Sequence, residues 1–261
     1  QINNRRGKLF GKQALDMTSL AFDNQGGLIK SEQATTIDTQ GQTLINADSG
    51  SEGGIHSGSI LLLKTGELNN RYGRISAQDT LTTHLGVFNN AYGKLTSKKG
   101  LQFNASQINN RHGLIYSVGN ANISLGIGET LGEFNNINGT VQTKGTLDIL
   151  SGPFNNDSGA VKSALAMTIN TQSQKFINTH SGSDGGIIGE DTVNISTGEF
   201  DNRKGYFGSH KNLTFTGTTF FNQGGTVRGL TDAQFQAQNI VTAGGWLRSE
   251  QTLSLLLGNG L

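Results

Sequence analysis

The chain has no cysteine, one proline and one tryptophan in 261 residues, and its formal charge sums to only +1. Without cysteine there is no disulfide framework and no thiolate metal site, although the compartment is left open. The near-zero net charge removes the electrostatic footprint of a nucleic-acid binder. No apolar run exceeds four residues, as at Ile60–Leu63. That is far short of the roughly 20 needed for a membrane-spanning helix. No secretory leader is visible, and residue 1 opens inside a repeat, so a piece of a longer protein is expected. What the chain does have is 38 Gly and 13 Phe. So many aromatic residues speak against disorder.

Two phrases carry the organisation: FNNAYGKLTS at 88–97 and INNRHGLIYS at 108–117. Their second Asn recurs as Asn4, Asn24, Asn46, Asn70, Asn90, Asn110, Asn136, Asn156, Asn178, Asn202 and Asn222, with Thr242 in the last copy. The spacings lie between 20 and 26 residues. A period in this range is the signature of a solenoid. Two residues before the Asn stands an apolar residue, such as Phe88 or Phe154. Three residues after it stands Gly in most copies, such as Gly93 or Gly159. An apolar and then a small residue follow, such as Leu95 and Ser97.

Each repeat thus holds three short runs of period-2 alternation separated by turns, which reads as three β-strands. A helical repeat would need a 3.6-residue period and few glycines. The leucine-rich signature is absent. The fold class is therefore all-β: a parallel β-helix of about twelve coils, each of roughly 20 residues. At ~4.8 Å per coil it makes a rod about 58 Å long. The second Asn is expected to turn inward at a corner, because a ladder of identical amides satisfies groups that burial would otherwise penalise. Asn90 is then structural, and Asn89 points outward. The following Gly is expected to supply an unusual dihedral or a close approach.

The spacings repeat after 132 residues, and aligning residue i with i+132 gives 20 identities in the first 46 pairs. The rod, a single shaft segment over 1–261, is read as an internal duplication, 1–132 and 133–261. Extra residues recur at 47–52 and 179–184, and again at 32–43 and 164–175. A longer insertion falls in 118–133. Insertions in solenoids form loops, often on a binding face. The loop residues Ser49, Ser51, Glu52, Ser181, Ser183 and Asp184 are the candidate partner-binding set, and the two loops should stand ~29 Å apart.

GVFNNAYGKLTSKKGLQFNAS, at 86–106, resembles the repeats of filamentous haemagglutinin-type exoproteins, a group of large adhesins and contact-dependent growth-inhibition proteins. The resemblance covers essentially the whole chain. It implies a right-handed β-helix serving as the shaft of an exported, cell-surface exoprotein. It also implies passage through the outer-membrane transporter of a two-partner system. Neither a secretion domain nor a toxin domain is visible, so the segment reads as mid-shaft. The partners implied are the remainder of the exoprotein, the transporter, and a target-cell receptor or glycan.

Enzymatic readings are weaker. Polysaccharide-degrading β-helices need converging carboxylates or acid-bound calcium. Here Asp16 and Asp148 fall in corresponding coils far apart, and Asp184 and Asp191 stand alone. His56, His84, His112, His180 and His210 form no metal-binding spacing. SGSEGG and SGSDGG supply one acid each, too few for calcium. GIGETLG lacks the Lys of a phosphate loop. Arg5, Arg6, Arg71, Arg111 and Arg203 make a broken basic stripe, read first as a solvated edge that blocks sideways strand pairing. The reading is a non-enzymatic shaft without cofactor, the alternative being receptor or glycan binding through the duplicated loops.

Overall fold

The structure is a computed structural model describing residues 1–127, 130–182 and 184–258. The described residues form strands and turns, with no helix. Each repeat makes one coil. In the second, Phe22–Asp23 leads into the Asn corner, Leu28–Ser31 crosses to a second face, and Thr35–Asp38 returns. The middle strands of all coils, from Lys8–Gly11 to Trp246–Ser249, build a parallel sheet of 12 strands. The outer two strands of each coil build a second, 22-stranded sheet.

The register follows the sequence columns. Leu9 pairs with Ile29, Ile29 with Ile55, and Ile75 with Leu95. Period-2 alternation places these side chains inside and their neighbours outside. One hydrophobic cluster runs without a break from Phe22 to Ala237. The phenylalanine column is completely covered, and each such side chain contributes roughly 1.5–3 kcal/mol on burial. Phe134, Phe154 and Phe176 stack with centroids 4.6 Å apart and planes within 6°.

Three coils depart from the three-strand pattern. In Leu61–Asn69, Thr80–Asn89 and Gly100–Asn109 the third strand of one coil runs straight into the first strand of the next. The bend falls on a glycine in the first two, Gly66 and Gly86, and on Ser106 in the third, whose hydroxyl donates to the Gly86 carbonyl. A Cβ on Gly86 would lie 2.0 Å from the Gly66 carbonyl oxygen in the coil beneath. The insertion in 118–133 is an antiparallel hairpin pairing Gly126 with Leu131 and Ile127 with Thr130.

Candidate functional site

The Asn-Asn phrase divides two tasks between its residues. The second Asn points inward and is completely buried in every coil but the first, where Asn4 is 7% exposed. Its Nδ2 donates to the Oδ1 of the Asn in the following coil. Ten such bonds, each 2.6–2.8 Å long, run from Asn4 to Asn222 without a gap. The same Nδ2 reaches a strand carbonyl, as Asn90 does to Leu114 at 3.2 Å. At the last rung, where Thr242 cannot continue the ladder, Asn222 donates to the Trp246 carbonyl.

The first Asn has work that sequence reasoning missed. Its side-chain oxygen accepts the backbone N–H two residues on, an Asx-turn that opens the corner. Asn89 holds Ala91 at 3.2 Å, and Asp23 holds Gln25 at 2.9 Å. The signal was available, since Asp replaces Asn at this place in coils such as Asp23 and Asp201 while Asn stays fixed at the next.

The corner closes as a β-turn, with Gly93 N–H donating to the Asn90 carbonyl. Its positive φ does not fall on that glycine. It falls on the residue before, occupied by Arg6, Tyr72, Tyr92, His112, Ser158 or Lys204 at φ of 52–58°. The glycine serves the close approach instead, because a Cβ on Gly93 would lie 2.3 Å from the Asn70 carbonyl oxygen. This corrects one of the two roles expected for the glycine.

The duplicated loops are stitched into the wall by one serine each. Ser49 is buried; its hydroxyl donates to the Asn46 carbonyl and accepts the Arg74 N–H. In the other loop the Ser181 hydroxyl accepts the Tyr206 N–H at 2.8 Å. In a regular coil that N–H binds a glycine carbonyl, as Lys94 does with Gly73. The loop displaces this carbonyl and the serine replaces it. Ser51 offers its carbonyl to the Arg74 guanidinium at 2.7 Å. Glu52 and Asp184 are exposed, and Ser183 lies outside the described residues.

Beside the second loop is a groove of about 600 Å³ lined by Asp157, Lys175, His180, Asp201, Arg203 and Lys204 among others. Its charges are largely paired. His180 Nδ1 lies 2.9 Å from Asp157, and Arg203 grips Asp201 through two nitrogens at 2.6 and 2.8 Å. Burial by itself would raise the Asp201 carboxyl. The hydrogen bonds from Arg203 and the positive charges of Arg203 and Lys175 outweigh it and leave the group below the usual carboxylate range. The other corner arginines are also engaged in part: Arg5 pairs with Asp23, and Arg71 lies over the Tyr72 ring. Tyr72, Tyr92 and His112 form an exposed stack with centroids 4.9 and 4.7 Å apart. Among the described residues no cluster of three or more His, Asp or Glu could hold a metal ion.

Neither the comparison with curated proteins nor that with solved structures finds a match. The haemagglutinin repeat family does match, over residues 1–126, 117–203 and 177–260. Three overlapping matches that together span the solenoid, on a chain whose coils are held by one amide ladder, place it: it belongs to the haemagglutinin repeat family.

Proposed function

We propose that the chain is a shaft segment of a large secreted, cell-surface exoprotein of the filamentous haemagglutinin type, a stiff spacer that holds distal binding or toxin modules away from the cell. The observation that carries this reading is the unbroken Asn ladder from Asn4 to Asn222, running beside one continuous core. Every coil bonds only to its neighbours, so length can be added or removed in whole coils. Nothing in such a wall needs a ligand to hold it. A cysteine-free chain also suits export through a narrow transporter, since no disulfide can lock it beforehand.

The test is to remove residues 70–89 or 136–155, each one regular coil, from the parent exoprotein on the cell surface. The reach of the distal module should shorten by ~4.8 Å per coil, while the affinity of that module for its own target stays unchanged. Loss of target affinity on removing either coil would sink the spacer reading. The receptor-binding alternative has its support in the charged groove beside 179–184. It predicts that the isolated segment binds target cells and that Asp157→Ala with His180→Ala abolishes this.

A further inference from the structure

Oxidation cannot join the coils through a disulfide, because the chain has no cysteine. It has four tyrosines, and two of them stand together at the surface. Tyr72 and Tyr92 hold the same place in successive corners. Asn69 pairs with Asn89 before them and Arg74 with Lys94 after them, so the two corners have the same length. Both residues hold a left-handed backbone, at φ of 52° and 58°. The Tyr72 N–H donates to the Ala91 carbonyl at 3.1 Å, which ties one turn to the next. The side chains therefore leave matching backbones in one direction. Their rings stack with centroids 4.9 Å apart and planes within 19°. Exposures of 44% and 45% leave the ring edges open to a reagent in solution.

The other two tyrosines lack this arrangement. Tyr116 has Thr96 and Gln142 as register partners, and Tyr206 pairs with Thr226. Both are half-buried. The column of the exposed pair is also bounded. Asp48 holds a left-handed corner place in the coil before Tyr72, and His112 holds it in the coil after Tyr92. Coupling can join one pair there and cannot run along the rod.

We propose that Tyr72 and Tyr92 form an oxidative staple, a dityrosine bond made by hydrogen peroxide and a haem peroxidase. Each phenol gives up one electron and one proton. The two tyrosyl radicals couple through the ring carbons beside their hydroxyls, Cε of Tyr72 to Cε of Tyr92. Each coupled carbon then passes its hydrogen to its own phenolic oxygen, which restores both rings. The net change is one carbon–carbon bond gained and two hydrogens lost. Their two electrons and two protons break the O–O bond of the peroxide and leave two waters. The rings must roll out of the stack for these carbons to meet. That gives up the contacts with the Arg71 guanidinium, 4.7 Å from the Tyr72 ring centroid, and with His112, 4.7 Å from that of Tyr92. Because the backbone holds the partners side by side, each phenol meets the other at an effective concentration far above that of any second chain. The bond crosses from one coil to the next and constrains the unfolded chain as a disulfide would. The inference goes beyond the spacer reading, and its chemistry does not depend on what the parent protein holds.

The experiment treats the purified segment, in dilute solution, with hydrogen peroxide and a haem peroxidase. Dityrosine fluorescence should appear in material that still runs as a monomer. Trypsin cuts after Arg71, Arg74 and Lys94, so the staple joins peptide 72–74 to peptide 75–94. The joined species is two hydrogens lighter than the separate peptides together. Tyr92→Phe keeps a ring in the stack but removes the phenol, and it should lower the monomer signal about tenfold or more. Tyr116→Phe with Tyr206→Phe should leave that signal within about twofold. The oxidised protein should unfold at a higher denaturant concentration than the untreated one, and oxidised Tyr92→Phe should show no such shift. An unchanged far-UV spectrum verifies that each variant folds. The proposal is overturned if the fluorescence is confined to cross-linked dimers, if the joined peptide is missing from the oxidised monomer, or if Tyr92→Phe keeps the signal. It is equally overturned if the oxidised monomer unfolds at the same denaturant concentration as before, since a staple must fasten.

Discussion

The two halves of the rod place their aromatic stacks on opposite sides of the same wall. In 133–261 the stack is inside: Phe134, Phe154, Phe176 and Phe200 lie face to face, with centroids 4.6–4.8 Å apart. In 1–132 the equivalent column is mixed: Ile2, Phe22, Leu44, Leu68, Phe88 and Ile108. There the stack is outside, in Tyr72, Tyr92 and His112, at 4.7–4.9 Å. Both spacings match the separation of adjacent strands, about 4.8 Å. The backbone therefore sets the stacking distance where rings lie face to face, while Phe200–Phe220 and Phe215–Phe235, also register partners, tilt by 38° at 5.3 and 6.0 Å. The difference teaches that only the inner stack must also fill a core, so only there does a lost ring leave a cavity.

The largest effect follows from that. Phe154→Ala should cost about 3–5 kcal/mol, because rings on both sides keep the hole from collapsing. Leu44→Ala, in an aliphatic part of the column, should fall lower, at about 2–4 kcal/mol. Amide exchange read coil by coil measures this better than one melting curve, since a repeat array need not unfold all at once. An equal loss at both sites would mean that the inner aromatic stack adds nothing.

The ladder is the part of the wall the halves share. Asn90→Ala and Asn156→Ala should each cost about 1–3 kcal/mol, since each strands buried amide groups in the coils above and below. Asn89→Ala gives up two half-buried bonds, from the Ala91 N–H and a long one of 3.4 Å from Asn109 Nδ2, and should cost about 1 kcal/mol or less. Denaturant titration of the three variants separates the roles, and equal costs at Asn89 and Asn90 would contradict the inward assignment. The loops sharpen the same point. Deleting 49–52 leaves Gly53 at the close-approach position and restores a carbonyl for the Arg74 N–H, so stability should change little. Deleting 50–53 leaves Ser49 there. The equivalent Gly27 would meet the Asn4 carbonyl oxygen at 2.3 Å if it had a Cβ. That deletion should lower the melting temperature clearly, and so should its counterpart in the second half.

Asp201 breaks the correspondence electrostatically, because the first half has Asn69 in its place. Its carboxyl titrates below the ordinary value, so the folded state holds fewer protons than the unfolded state as acid is added. The stabilisation is complete above the unfolded value of about 3.9 and is lost as pH falls through the lower folded value. Asp201→Asn should therefore flatten the fall in melting temperature below about pH 4. Asp79 with Lys99 and Asp191 with Lys211 also titrate low and keep some of the slope. An unchanged acid limb in the variant would show that Arg203 does not stabilise the folded carboxylate.

The period, the inward columns and the ladder could be read from the chain because twelve copies disclose the register that one copy hides. The loop serines were visible only as members of a Gly- and Ser-rich stretch. Ser49 and Ser181 matter through a backbone N–H 25 residues away, a partner no local pattern names. The continuous strands of 61–109 escaped because Gly66 and Gly86 look like turn residues, while their actual work is to let one coil lie on the next.

The smallest effect tests the corner turn in both halves. Its third residue holds a left-handed backbone at Tyr92, φ 58°, and at Ser158, φ 54°. An L-residue pays roughly 1–2 kcal/mol for that conformation, and glycine does not. Glycine's greater freedom in the unfolded chain takes back part of the gain. Ser158 has no ring contact, so Ser158→Gly should stabilise by about 0.5–1 kcal/mol. Tyr92→Gly earns the same relief but breaks two stacked contacts, with Tyr72 and with His112, each about 0.5–1.5 kcal/mol when well formed. The exposed stack should therefore cancel the gain or reverse it. Chemical denaturation of both variants is the measurement. A similar gain at both positions would show that the outer stack of the first half contributes no stability, leaving the inner phenylalanine column as the one stack that does.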